Sequence, residues 1–322
     1  MDFIERGLSR STGIRIFYCE VTESAATLER RHLSGPTAGR VLGEAIAAVA
    51  LLSANLKKDD ESVSLQLKTD GPIGGVMADA SGVGGLRGYT HKKILNDFDG
   101  EENGALDAVM GSAGNMAVIR SNSARVLGVG QVQATPPSVR TGLARYYNDS
   151  LQTPTAVELY SVDREGFLRR VAGIVADRMP DGSHDAFCTV IERFNSGAVR
   201  RFLDSSTRIL DFKELFELDD IETLERRDLR FCCNCNYEKI TEAVSTLPDQ
   251  EIREILDSSH SQRVTCHFCG EIYTIRKETL REILEWSART GRESGGEASD
   301  ASDAESPPAP EGDTPPASGT DS

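Results

Sequence analysis

The chain has 322 residues, enough for two domains of ordinary size, and 39% of them are hydrophobic. Its net charge of −15 argues against a general nucleic-acid binder, which needs a basic stripe to displace counterions from phosphates, and against a protein that docks on anionic membranes. The opening residues, MDFIERGLSRSTG, hold no apolar run of signal-peptide type. The most apolar stretch, Val41 to Leu56, contains Glu44 and is too short to cross a bilayer. The expectation is a cytoplasmic protein, in which clustered cysteines serve as metal ligands or redox groups rather than structural disulfides.

In chain order, Ile14 to Val21 reads as a strand, with Ile14, Phe17 and Cys19 alternating imperfectly with polar residues. Thr37 to Leu56 reads as a helix, because Val41, Ala45, Ala48 and Leu52 repeat at helical spacing and Leu42, Ile46 and Val49 widen the face; a helix that apolar belongs at the centre of a core. Val63, Leu65 and Leu67 alternate with polar residues as in a half-buried strand. Further strands are expected at Val76–Asp79, Leu86–Tyr89, Met116–Arg120 and Val126–Gln133, and Ser138 is placed to cap a helix reaching Asn148. Thr155–Val162 and Gly166–Ala176 read as partner strands. Gly74, Gly75, Gly82, Gly84 and Gly85 match no nucleotide loop and are expected in turns and close backbone contacts.

From Asp181 to Arg230 the chain is heavily charged, with scattered apolar positions such as Phe194, Phe202, Leu210, Leu215 and Phe216, and reads as short helices rather than a compact core. After Ser287 no large apolar residue remains, and eight acidic residues face two basic ones. Such a segment cannot bury enough surface to offset its ordering entropy, and disorder is expected. The expected architecture is α+β: an N-terminal mixed domain over residues 1–180, a helical linker over 181–231, a small four-cysteine zinc module over 232–286, and a disordered acidic tail over 287–322.

The chemistry concentrates in the cysteines. Five of seven lie between Cys232 and Cys269, in the groups Phe231-Cys232-Cys233-Asn234-Cys235 and Cys266-His267-Phe268-Cys269-Gly270. Two knuckles of two thiolates each complete a closed tetrahedral zinc site, and the glycine after the second relieves its turn. At the first knuckle spacing leaves two choices: Cys232 with Cys235, or Cys233 with Cys235. One thiol is spare. His260 and His267 are possible ligands that four thiols make unnecessary. Cys19 and Cys188 are expected as small buried hydrophobes.

CxC, thirty intervening residues, then CxxC resembles the redox-regulated molecular chaperones of the thirty-three-kilodalton heat-shock protein family. Phe231 stands two before Cys233, Thr246-Leu247-Pro248-Asp249 is similar to the family's connector, and Tyr273 follows Gly270. Leu42-Gly43-Glu44-Ala45 with Leu51-Leu52, Leu65-Gln66-Leu67, Asp70-Gly71-Pro72, Leu86-Arg87-Gly88-Tyr89, Tyr146-Tyr147 to Pro154-Thr155 and Ala172-Gly173 to Met179-Pro180 also look like family motifs. The likeness runs from about Ile14 to Trp286, weaker over 105–137 and 181–211, and leaves out the acidic tail. It implies that Cys233, Cys235, Cys266 and Cys269 bind one zinc in the reduced state, with Cys232 an addition to the pattern. It also implies that oxidation forms disulfides Cys233–Cys235 and Cys266–Cys269, that zinc leaves, and that the linker unfolds to capture unfolding client proteins without ATP, with dimerisation on activation.

Two rival functions remain from the residues. A zinc-ribbon module for nucleic-acid or protein partners would use Arg226, Arg227 and Arg230, against neighbouring Asp219, Asp220, Glu222, Glu225 and Asp228. An enzyme would need a redox CxxC opening a helix after a strand, or a catalytic zinc with an open position, which four cysteines close. No enzymatic activity is expected.

Overall fold

The structure, a computed structural model, describes residues 1–99, 105–205, 208–258 and 262–290. The acidic tail beyond residue 290 and His260 lie outside the described residues. The chain forms two units, Met1–Ile240 with Arg263–Tyr273, and Thr241–Gln262 with Thr274–Ser322.

The first unit is built on two sheets. One has five strands in the order β10-β1-β2-β9-β8: β1 (Phe3–Ser9), β2 (Ile14–Glu20), β8 (Thr155–Arg164), β9 (Phe167–Arg178) and β10 (Ile221–Asp228), all antiparallel. The other has six in the order β11-β5-β4-β3-β6-β7: β3 (Ser62–Thr69), β4 (Gly75–Ser81), β5 (Gly85–Thr90), β6 (Gly114–Ser121), β7 (Val126–Ala134) and β11 (Arg230–Phe231). Only β11, among these described pairs, runs parallel to its neighbour, with Phe231 beside Leu86.

Helix α1 (Thr22–His32) precedes α2 (Pro36–Ser53), the helix that the apolar periodicity announces. Pro36 at its start has φ pre-set and no N–H to leave unpaired. α2 buries its surface against strands of both sheets, which is why nearly every side chain on it is apolar. Gly43 lets it approach β8, since a Cβ there would stand 2.5 Å from the Ser161 hydroxyl oxygen. Then follow α3 (Ala105–Met110) and α4 (Val139–Arg145), whose first turn is capped by the Ser138 hydroxyl accepting from the Thr141 N–H at 3.0 Å. A π-helical turn, Tyr146–Ser150, carries the chain on to β8.

Expected strands and helices fall where the periodicity places them, and the imperfect alternation of Ile14–Val21 has a physical cause. Ile14, Ile16 and Tyr18 enter one apolar cluster while Phe17 and Cys19 enter another, on opposite faces of the five-stranded sheet. A strand covered on both sides reads as a continuous apolar run.

The 181–230 segment departs from expectation. Its helices α5 (His184–Asn195), α6 (Ala198–Leu203) and α7 (Lys213–Phe216), with a 3-10 turn at Ile209–Phe212, do build a compact core. Phe187, Val190 and Phe194, at helical spacing on α5, join Val199, Leu203, Phe212 and Phe216 over the second face of the sheet. Phe212 stacks on Phe216 at 5.6 Å, and Phe216 on Phe194 at 5.7 Å. Leu210, by contrast, is exposed. The segment ends not in a helix but in β10, which completes the sheet beside β1.

In the second unit α9 (Asp249–Asp257) packs on α10 (Lys277–Thr290), with Ile252, Leu280 and Leu284 buried and the Ser287 hydroxyl donating to Asp249 at 2.8 Å. Helix α8 (Tyr237–Val244) leads into it. β12 (Gln262–Thr265) pairs with β13 (Ile272–Ile275) in a hairpin whose residues Arg263–Tyr273 belong to the first unit.

Candidate metal centre

Cys233 and Cys235 follow β11, and Cys266 and Cys269 sit on the turn between β12 and β13. The turn is closed by the Gly270 N–H donating to the Cys266 carbonyl at 2.9 Å and the Cys266 N–H donating to the Glu271 carbonyl at 2.8 Å. Gly270 takes φ of +73°, a conformation most side chains resist. A Cβ there would also press to 2.6 Å from the Arg31 carbonyl oxygen.

The four sulfurs converge, all within 4.8 Å of one another. Cys233 Sγ lies 3.9 Å from Cys266 Sγ, and Cys235 Sγ lies 3.3 Å from Cys269 Sγ. A tetrahedral ion with sulfur bonds of ~2.3 Å has edges of about 3.8 Å, a value these separations bracket. Four thiol donors with no fifth group in the set could hold a metal ion, consistent with zinc in a closed site.

Thiols packed this closely resist ionising together. Burial, joined by neighbouring sulfurs, pushes the Cys233 and Cys269 thiols up. Burial opposes Cys235 as well, but a hydrogen bond from the Tyr273 hydroxyl at 3.1 Å and contacts with the other three sulfurs hold it below its ordinary range. A divalent cation would remove the conflict by favouring the thiolate at every position.

Cys232 stands apart. Its N–H donates to the Leu86 carbonyl at 2.9 Å, extending the β11–β5 pairing, and its thiol meets Asn234 Oδ1 at 3.6 Å; it is not one of the four convergent sulfurs. His267 rests against the Tyr89 ring at 5.6 Å and is also outside the set. Cys19 is fully buried, as expected. Cys188 is not: it is half-exposed on α5, with Sγ 3.6 Å from Nε2 of His184, one helical turn earlier.

Two groups beside the sulfurs escape sequence reasoning. One is the Tyr273 hydroxyl. The other is Arg87 on β5, which is paired with Asp79 at 2.7 Å and lies 4.1 Å from the Phe268 ring centre, between the cysteines of the second knuckle. Burial opposes the charge on Arg87, but Asp79 and a hydrogen bond with the Cys233 sulfur sustain it. Both residues sit in motifs that the sequence marks as family-like without giving either side chain a role, and the fold brings the two side chains to the sulfurs.

Two of the three arginines of the rival nucleic-acid patch are spent on structure. Arg226 donates to Glu5 at 2.8 Å and covers the Phe3 ring, and Arg227 donates to the Ser53 carbonyl and hydroxyl at 2.9 Å. Arg230 alone of the three makes no such tie among the described residues.

A family model described as Hsp33 protein matches residues 2–276. The chain belongs to the Hsp33 family. The match begins before β1 and stops ahead of α10, and it runs through the stretches where motif likeness is weak. Chains named 33 kDa chaperonin from Geobacillus sp. (strain WCH70), Bacillus licheniformis and Clostridium novyi are 27%, 28% and 27% identical over 287, 289 and 288 residues. Each alignment covers 88% of this chain, and 97%, 99% and 98% of the relative. The crystal structure of the 33 kDa chaperonin of Thermotoga maritima has the same fold, with a TM-score of 0.78 at 20% identity over 89% of this chain and 99% of that one. Membership in the Hsp33 family places the chain among chaperones rather than enzymes. No helix among the described residues is long and apolar enough to cross a membrane.

Proposed function

We propose that this chain is an ATP-independent holdase, kept inactive by one zinc ion on Cys233, Cys235, Cys266 and Cys269 and switched on when those cysteines are oxidised. The observation that carries the reading is the convergence of four sulfurs at tetrahedral spacing. Zinc, when bound, supplies no reaction; it holds the sulfurs as thiolates and ties the two knuckles together. The second unit has little apolar core of its own: its described buried apolar side chains are Val244, Ile252, Ile275, Leu280 and Leu284. Metal binding in small zinc peptides is worth ~10–16 kcal/mol, against the ~5–15 kcal/mol net stability of a whole domain. The module therefore stands or falls with its ligand set.

Oxidation removes that set. Two thiolates give up two electrons and form one S–S bond, while hypochlorous acid takes the electrons and leaves as chloride and hydroxide; peroxide leaves as two hydroxides. Two equivalents convert all four sulfurs. Local pairing, Cys233 with Cys235 and Cys266 with Cys269, requires little chain movement. The 181–231 segment then gives up its packing on the five-stranded sheet, and apolar side chains such as Phe187, Phe194 and Phe212 become available to unfolding client proteins. Dimerisation of the activated form and a reducing cytoplasmic home complete the reading.

The test is alkylation mapping of the active protein by mass spectrometry. Disulfides within each knuckle and none in the reduced protein support the reading, whereas an active protein with both pairs still reduced contradicts it.

A further inference from the structure

Cys232 is left over at the cysteine cluster, and it lines a cavity of about 450 Å³ whose walls hold none of the four convergent sulfurs. Volumes of about 300–1,000 Å³ are typical of small-molecule sites. All of the walls belong to the first unit. They come from the turn before β3, the start of β3, the end of β4, the start of β5, the first knuckle and Lys239 on α8.

The backbone fixes the thiol there. The Cys232 N–H donates to the Leu86 carbonyl at 2.9 Å and the Arg230 N–H to the Gly84 carbonyl at 2.9 Å, so the six-stranded sheet holds this residue. Its sulfur lies 3.6 Å from Asn234 Oδ1 on one side and beside Gly85 on another; both neighbours line the cavity. Gly85 has no φ in the left-handed region, so the backbone does not ask for glycine. Space does. A Cβ there would stand 2.9 Å from the Ser81 hydroxyl oxygen, 3.1 Å from Cys232 Cβ and 3.8 Å from its Sγ. The missing side chain keeps the approach to the sulfur open.

A second group in the walls wants a partner. Asp79 is 8% exposed, and Arg87 holds its Oδ2 at 2.7 Å. Its Oδ1 is buried with no hydrogen-bond partner among the described residues. A buried carboxylate oxygen without a donor is costly, and this one lines the same cavity as the thiol. The other carboxylates are better supplied or solvated. Glu61 accepts from the Lys57 N–H at 2.9 Å and lies 3.9 Å from Arg120, Asp60 accepts from the Ser123 hydroxyl at 3.4 Å, and Asp59 is exposed. Of the two cations in the lining, Arg87 is committed to Asp79, whereas Lys239 makes no ion pair among the described residues. The cavity thus offers an open sulfur, a carboxylate oxygen short of a donor and an ammonium short of an acceptor.

We propose that Cys232 is a modification site that takes a small amino-acid thiol as a mixed disulfide, its ammonium donating to Asp79 Oδ1 and its carboxylate meeting Lys239. The step is thiol–disulfide exchange with the oxidised form of the small molecule. Cys232 Sγ forms a new S–S bond to one half, the old S–S bond breaks, and the departing half takes the Cys232 proton and leaves as a thiol. The small disulfide is the oxidant, and no other is needed. The proposal does not rest on the redox reading: it concerns a thiol outside the ligand set and is tested without activating the chain.

The experiment treats the full-length, reduced, zinc-loaded chain with four small disulfides in turn: cystine, cystamine, 3,3′-dithiodipropionate and bis(2-hydroxyethyl) disulfide. They are zwitterionic, cationic, anionic and neutral. Peptide mass spectrometry follows the adducts, and the rate at Cys232 is divided by that at half-exposed Cys188, which lies outside the cavity and cancels the intrinsic reactivity of each reagent. Cystine should give one adduct at Cys232, at a rate that saturates with concentration. Its ratio should exceed those of the other three roughly tenfold or more, the usual effect of a charge-assisted hydrogen bond. Lys239→Gln, at an exposed side chain, should erase most of the preference for cystine over cystamine. Cys232→Ser should lose the adduct and keep one zinc per chain. No adduct at Cys232, one common ratio for all four disulfides, or an unchanged preference in Lys239→Gln would overturn the proposal.

Discussion

Helix α2 buries fifteen of its eighteen residues between two sheets, whereas the turn carrying Cys266 and Cys269 buries little beyond the two cysteines themselves. The first is held by area removed from water, at roughly 25 cal/mol for each Å² of apolar surface. The second has four convergent sulfurs that could hold a metal ion. On the proposed function, the first part is indifferent to oxidants and the second depends on those four atoms, so the second can be lost without the first.

Removing metal should give the largest contrast. Chelation of the reduced protein at neutral pH should abolish amide protection over 262–275, where the ligand set is worth ~10–16 kcal/mol in comparable sites, and leave 41–52 protected. Loss of protection in both at once would show that the regions are not separable. Leu51→Ala should do the reverse. It opens a cavity at a fully buried position, costs ~2–5 kcal/mol of global stability, and leaves the zinc content at one per chain, read by denaturant unfolding and metal analysis.

The pH dependence of the body sharpens the comparison from another side. Loss of water around the Glu44 carboxyl, with Glu158 adding to it and Arg200, Arg40 and Arg140 opposing, raises its folded-state value to about 7. That is above the ~4.3 of a free glutamate, so the folded chain binds the proton more tightly than the unfolded one. Its contribution is most favourable below about pH 4 and is lost as pH rises through about 7, where the penalty reaches on the order of 3 kcal/mol. Glu44→Gln should therefore be more stable than the parent at pH 8, with the two converging toward pH 5. Equal stability at both pH values would mean that the carboxyl is not held in its neutral form.

The smallest effects belong to the groups around the sulfurs. Arg87→Gln should lower zinc affinity by about 10–100-fold, the usual effect of a lost outer partner, with unchanged unfolding of the rest. Tyr273→Phe should remove one hydrogen bond, about 1 kcal/mol, and, in the metal-free reduced chain, slow modification of Cys235 by a thiol reagent slightly, because less of the thiol is ionised. Competition with a chromophoric chelator reads the first and stopped-flow alkylation the second.

The sequence announces α2 and the paired strands because a single strong period, 3.6 or 2, survives in each. It hides β10 and the second core. There the partners lie far apart along the chain, as with Glu5 and Arg226, and the apolar residues of 187–218 are diluted by charges that face solvent. Spacing leaves Cys232 and Cys233 equivalent at the first knuckle. Geometry separates them, because the strand pairing that holds Cys232 to Leu86 accompanies a sulfur turned to Asn234, away from the other four. A charged cavity beside α2 is invisible in one dimension: Glu44 reads as a lone flaw in an apolar helix until Arg140, Glu158 and Arg200 arrive from three other elements.

The most direct test of the central claim is light scattering of a heat-unfolding client in the presence of the purified chain, reduced and zinc-loaded or oxidised, with released zinc followed in the same cuvette by a chromophoric chelator. The account predicts that only the oxidised chain suppresses aggregation and that one zinc per chain appears as suppression sets in. Suppression by the reduced, zinc-loaded chain, or zinc release with no suppression, would contradict it.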